Sequence, residues 1–77
     1  MQLLFFGSIK EAFQADSLDW DREAKNLQEL KSSLEQAFVF LADQPYAFAV
    51  NETLVRDLKS TIQPTDRIAL LPPFSGG

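Results

Sequence analysis

The sequence predicts an α+β domain in which one helix lies across a mixed sheet, and three observations predict it. Short apolar runs at residues 1–8, 46–50 and 67–71 end at Gly, Asn or Pro, as buried strands do. Residues 27–41 instead place Leu27, Leu30, Leu34, Ala37, Phe38 and Leu41 at helical spacing, making one apolar stripe. The resulting order is strand, strand, helix, strand, short strand, strand. Two hairpins separated by a helix, with the first and last strands parallel at the sheet centre, is the β-grasp (ubiquitin-like) plan.

Each element has its own warrant. In the first strand Met1, Leu3 and Phe5 face the core, which leaves Gln2, Leu4 and Phe6 outward. Residues 9–15 form a short helical turn or a hairpin loop. A second strand follows at residues 17–20, with Leu18 and Trp20 on one face and Asp16, Asp19 and Asp21 around them. Asn26 caps the helix, and Glu29, three residues on, completes an Asn-type capping box. Phe38-Val39-Phe40 is β-prone, so the helix frays there, and Asp43-Gln44-Pro45 ends it. After the third strand, Asn51-Glu52-Thr53 makes a turn into Leu54-Val55. Gln63-Pro64-Thr65-Asp66 makes the turn before the last strand, where Ile68 and Leu70 share one face and Ala69 and Leu71 the other.

Composition excludes several kinds of chemistry. A chain of 77 residues holds one small core, which its seven Phe help to fill. With no Cys and no His there is no thiolate nucleophile, no imidazole base and none of the usual zinc ligands. Asp19, Asp21 and Glu23 read as a solvated face, so no metal site is expected. The basic residues form no run and the net charge is −4, which argues against a nucleic-acid partner. The apolar start is too short for a signal core or a membrane span, so the expected location is the cytoplasm.

Chemistry concentrates in the last residues. The domain is expected to occupy residues 1–71 and an extended tail residues 72–77. Pro72 and Pro73 have no amide donors, so they cannot continue a ladder and hold the chain in extended, polyproline-like geometry. Phe74 and Ser75 follow, and then side chains vanish at Gly76 and Gly77. A thread of this shape suits delivery of a C-terminal carboxylate into another protein's narrow active site, because no Cβ blocks the approach to it.

The string Leu71-Pro72-Pro73-Phe74-Ser75-Gly76-Gly77 resembles the ending of MoaD-type proteins, the small subunit of molybdopterin synthase. Similarity continues through Leu4-Phe5-Phe6-Gly7-Ser8-Ile9-Lys10-Glu11, Val50-Asn51-Glu52-Thr53-Leu54-Val55 and Thr65-Asp66-Arg67-Ile68-Ala69-Leu70. The resemblance implies a sulfur carrier for molybdenum cofactor biosynthesis. Gly77 would be adenylated by a MoeB-like activating enzyme, which uses ATP, and then converted to a thiocarboxylate. Within a MoaE-like large subunit the sulfur would pass to precursor Z, in a heterotetramer. This chain would then be a non-catalytic subunit with no cofactor of its own. Phe6, Leu54 and Leu71, with the tail residues Pro72, Pro73, Phe74 and Ser75, would form the partner interface. Two rivals share the terminal Gly-Gly: a ThiS-like carrier for thiazole synthesis, against which Pro72-Pro73 argues, and a ubiquitin-like protein modifier.

Overall fold

A computed structural model describes residues 1–73. Five strands form one sheet in the order β2-β1-β5-β3-β4, comprising β1 (Gln2–Phe5), β2 (Ser17–Asp19), β3 (Ala47–Val50), β4 (Thr53–Val55) and β5 (Arg67–Leu71). β1 and β5 pair in parallel at the centre, and every other pairing is antiparallel. This is the expected β-grasp. Helices α1 (Gly7–Phe13) and α2 (Leu27–Ala37) complete it, with a 3₁₀ segment at Val39–Asp43.

Period-two alternation sorts the strand residues as expected. Leu3, Phe5, Phe48, Ile68 and Leu70 are buried in the core with Leu27, Leu30, Leu34 and Leu41. Leu18 and Trp20 also pack there, although Trp20 lies one residue beyond β2.

The start of α2 is closed by several independent bonds. Asn26 Oδ1 accepts from the Glu29 amide at 2.9 Å. The Leu27 and Gln28 amides donate to the carbonyls of Ser60 and Leu58, at 3.2 and 2.8 Å. The first three amides of the helix, which have no intrahelical acceptor, are thus all satisfied. Glu29 reaches back to the Lys25 amide at 2.9 Å, one residue before the cap, so the box is a variant of the expected one. The connection at residues 57–62 therefore also covers a helix end.

One open reading is settled and one expectation is corrected. Residues 9–15 were open between a helical turn and a hairpin loop; the chain forms α1, which Gln14 ends in the left-handed conformation at φ 56°. The helix expected over 27–41 stops at Ala37, because Phe38 takes φ −125° and ψ 87°. The shift to 3₁₀ geometry has a packing reason. Phe38 and Phe40 both meet Phe13 edge-on, at 4.8 and 5.0 Å between ring centroids, and Phe13 stacks on Phe5 at 3.9 Å. A continuous α-helix would point Phe38 and Phe40, two residues apart, in widely divergent directions. Ala37 is exposed as a result, and Val39 stands 72% exposed.

The turn at Asn51-Glu52 has positive φ at both residues, 49° and 71°, as a two-residue type I′ hairpin requires. Asn51 also fastens this turn to β5. Its Nδ2 donates to Asp66 at 2.9 Å, and its Oδ1 accepts from the Arg67 amide at 3.0 Å.

On the helix side, Glu35 accepts from Lys31 and from the Tyr46 hydroxyl, the latter at 2.5 Å. The hydrogen bond from Lys31, then that from Tyr46, holds the Glu35 carboxyl below its usual value of 4.5. A carboxylate with a depressed folded-state pKa stabilises the fold above its unfolded-state value and loses that contribution as pH falls through the folded value. Glu35→Gln is therefore expected to cost about 1 kcal/mol at neutral pH, since the pair is partly solvated. Thermal melts from pH 7 to pH 3 should show the difference from the parent chain shrinking below about pH 4.5. A difference independent of pH would show that the carboxylate charge contributes nothing. At the alkaline end, burial and then the Glu35 bond keep Tyr46 protonated above its ordinary range.

Candidate functional site

Parallel pairing of β1 with β5 brings the C-terminal ends of both strands to one pole of the domain. There β1 runs into Phe6 and Gly7, and β5 into Leu71, Pro72 and Pro73. Phe6 continues the ladder, its amide donating to the Leu70 carbonyl at 3.2 Å. Its backbone is extended (φ −132°, ψ 153°), so the strand alternation carries through and its ring takes the outward side.

The outward face of the sheet is apolar along a continuous line. Register pairs Leu4 with Ala69, Ala69 with Ala49, and Ala49 with Leu54, so these four residues form one row across β1, β5, β3 and β4. Ala47 and Leu71 pair in the next row toward the tail. The first row has small alanines in the middle, Ala49 being 7% exposed, and leucines on either side. Phe6 is 47% exposed and Leu54 42%, while Leu71 is half-buried. Exposed large apolar groups gathered on one face mark an interaction surface more often than single scattered ones do.

The tail leaves across this surface. Pro72 lies against Gly7, and Pro73 lines a recess of about 170 Å³ with Ala47, Leu54 and Arg56. Arg56 is the cation among those four. On the other side of the pole, Lys10 pairs with Asp16 at 2.7 Å, and that hydrogen bond holds the Lys10 ammonium above its usual value.

Five of the expected interface residues, Phe6, Leu54, Leu71, Pro72 and Pro73, thus converge on one pole. Phe74, Ser75, Gly76 and Gly77 lie outside the described residues. Leu4, Gly7, Arg56 and the alanines Ala47, Ala49 and Ala69 were not anticipated as part of this surface, although Leu4 and Ala69 were expected to face outward. A signal for the alanines was present, since they occupy the non-core parity of Tyr46-Ala47-Phe48-Ala49-Val50 and Arg67-Ile68-Ala69-Leu70-Leu71.

A cleft of about 720 Å³ lies at the opposite pole between Met1, Trp20, Arg22, Ile62 and Pro64. Arg22 covers the Trp20 ring at 5.3 Å. The Trp20 indole N–H is buried without an acceptor among the described residues. The chain has neither Cys nor His, so no thiolate or imidazole can line this cleft.

The profile of the ThiS family matches residues 3–77. The chain belongs to the ThiS family. This ThiS-family chain is 30% identical to a chain in the protein–protein complex of subunits 1 and 2 of molybdopterin-converting factor from Helicobacter pylori 26695. That match covers 99% of this chain and 96% of the other, with a TM-score of 0.66. The resemblance to MoaD-type proteins thus holds. Small archaeal modifier protein 1 of Methanosarcina acetivorans shares the fold at 19% identity, over 99% of this chain and 94% of that one, with a TM-score of 0.78. SAMP1 from Haloferax volcanii does so at 19% identity, over 100% and 98%, with a TM-score of 0.77. A ubiquitin-like β-grasp is common to all of them.

Proposed function

We propose that this ThiS-family chain is a MoaD-like sulfur carrier whose reactive group is the carboxylate of Gly77. Family membership supports the coarser reading, a ThiS/MoaD-like carrier or a ubiquitin-like small modifier. The observation that carries the finer one is where the tail departs. A sequence ending in Gly76-Gly77 leaves the sheet over an exposed apolar face, with Pro72 and Pro73 seated on the domain. That arrangement lets a partner grip the face while the thread enters its active site.

In the proposed reaction the Gly77 carboxylate attacks the α-phosphorus of ATP in a MoeB-like enzyme. Pyrophosphate leaves and an acyl adenylate forms. A sulfide-level sulfur nucleophile attacks the acyl carbon and expels AMP, leaving a thiocarboxylate. Catalytic acids and bases come from the partners, consistent with a chain that has no His or Cys. The Helicobacter pylori match is a complex of two subunits, which supports a large-subunit, MoaE-like partner for this chain as well. The sulfur acceptor is then precursor Z, and the setting is cytoplasmic.

Mass spectrometry of the chain purified from cells that also express an activating enzyme tests this reading. The expected result is replacement of one oxygen by sulfur, localised to Gly77 by sequencing the C-terminal fragment. Localisation is essential because oxidation of Met1 adds nearly the same mass. Gly77 in isopeptide linkage to lysine, without thiocarboxylate, would replace the carrier reading with a modifier.

A further inference from the structure

Gly7 is the single glycine among the described residues, and it stands directly under the start of the tail. Its φ of +56° lies where L side chains are rarely found. Space is denied as well. A Cβ at this position would stand 2.7 Å from Cγ and 3.3 Å from Cδ of Pro72. A flexible side chain could swing away from such a contact. Pro72 cannot, because its ring is bonded to its own backbone nitrogen, and displacing the ring displaces the main chain of the tail. On the next residue Pro73 borders Ala47, Leu54 and Arg56. The first two tail residues are thus seated on both flanks of β5, one over the β1–α1 junction and one over the β3–β4 hairpin.

We propose that Gly7 and Pro72 form a positioning pair that sets the direction in which the tail leaves the sheet. We infer also that this direction is what Gly7 contributes to presenting Gly77, a part that rests on the reading under Proposed function. Gly7 touches no reacting atom. It acts through Pro72, by leaving open the gap into which the proline ring fits.

The test separates the contact from backbone strain. Gly7→Ala introduces both. Adding Pro72→Ala removes Cγ and Cδ while leaving the strain at residue 7 in place. The chain has no cysteine, so Ser75→Cys gives a single attachment point for a nitroxide label. Paramagnetic broadening of amide signals then reports tail direction without any reaction. Gly7→Ala is expected to change the broadening pattern over residues 7–13 and 47–56, and Gly7→Ala/Pro72→Ala to return it toward that of Pro72→Ala alone. An unchanged pattern, or no recovery in the double variant, overturns the positioning pair. In adenylation assays on unlabelled chains, Gly7→Ala should lower kcat by roughly ten- to a hundredfold, since misplacement of about 1 Å costs on that scale. KM for the carrier should stay within about twofold, because the docking face is intact, and kcat in the double variant should return toward that of Pro72→Ala alone. A changed pattern with unchanged kcat would overturn the role in presentation. Failure of the unsubstituted chain to be adenylated would instead overturn the sulfur-carrier reading and leave the positioning pair to the label alone.

Discussion

Deleting Gly76 and Gly77 is expected to abolish thiocarboxylate formation while leaving the melting temperature of the domain unchanged. The deletion removes the acyl donor itself. It ends the chain on Ser75, whose Cβ crowds the carboxylate, and shortens the thread by about 7 Å at full extension. Four residues beyond Pro73 span at most about 14 Å, so the loss is half the available reach. Every described core residue lies at or before Leu70, and surface changes outside a core move stability by no more than about 0.5 kcal/mol. Intact-mass analysis after incubation with the activating enzyme, ATP and a sulfur source reads the first effect, and calorimetry the second. Sulfur loading that survives the deletion would place the reactive group elsewhere in the chain.

Phe6→Asp is expected to weaken binding of the large subunit by roughly ten- to a hundredfold with the fold retained. Burying a large apolar side chain at an interface is worth about 1.5–3 kcal/mol, and each 1.4 kcal/mol is tenfold in affinity. The fold should tolerate the change for a local reason. Phe6 is 47% exposed, and it is the N-cap residue of α1, which has no side-chain cap and no acidic residue in its first turn. An Asp there can accept from the free amides of that turn and favours the positive end of the helix. Titration calorimetry with the large subunit measures the affinity, and circular dichroism the fold. A chain that unfolds would show that Phe6 belongs to the core. A folded chain with parental affinity would remove the outer sheet face from the interface.

Much of this protein was legible in its residues because its strands and main helix obey simple periods. Alternation in Leu3-Leu4-Phe5 and Ile68-Ala69-Leu70 assigned each side chain to the core or the outer face, as the structure has it. The pairing of Asn26 with Glu29 located the start of α2 to the residue. The end of that helix was not legible to the residue. Whether Phe38 and Phe40 continue a helix or leave it depends on Phe13, a residue distant in sequence that draws both rings to itself. The interface was legible in part. Phe6, Leu54 and Leu71 stood out as large apolar residues on outward parity. The alanines between them did not: parity alone put them on the outer face, but only register aligns Ala49 and Ala69 with Leu4 and Leu54.

By itself, then, the sequence determined the β-grasp order, the parity of the strands, the capped start of α2 and the tail that ends in Gly-Gly. Each of these depends on residues near one another in the chain. Tertiary structure alone decided which residues the tail rests on. Gly7 and Pro72 are 65 positions apart in the chain, and they meet only because parallel pairing of β1 with β5 brings both strand ends to the same pole. A glycine signals conformational freedom in sequence, but the atom it makes room for is known only once the chain has folded around it.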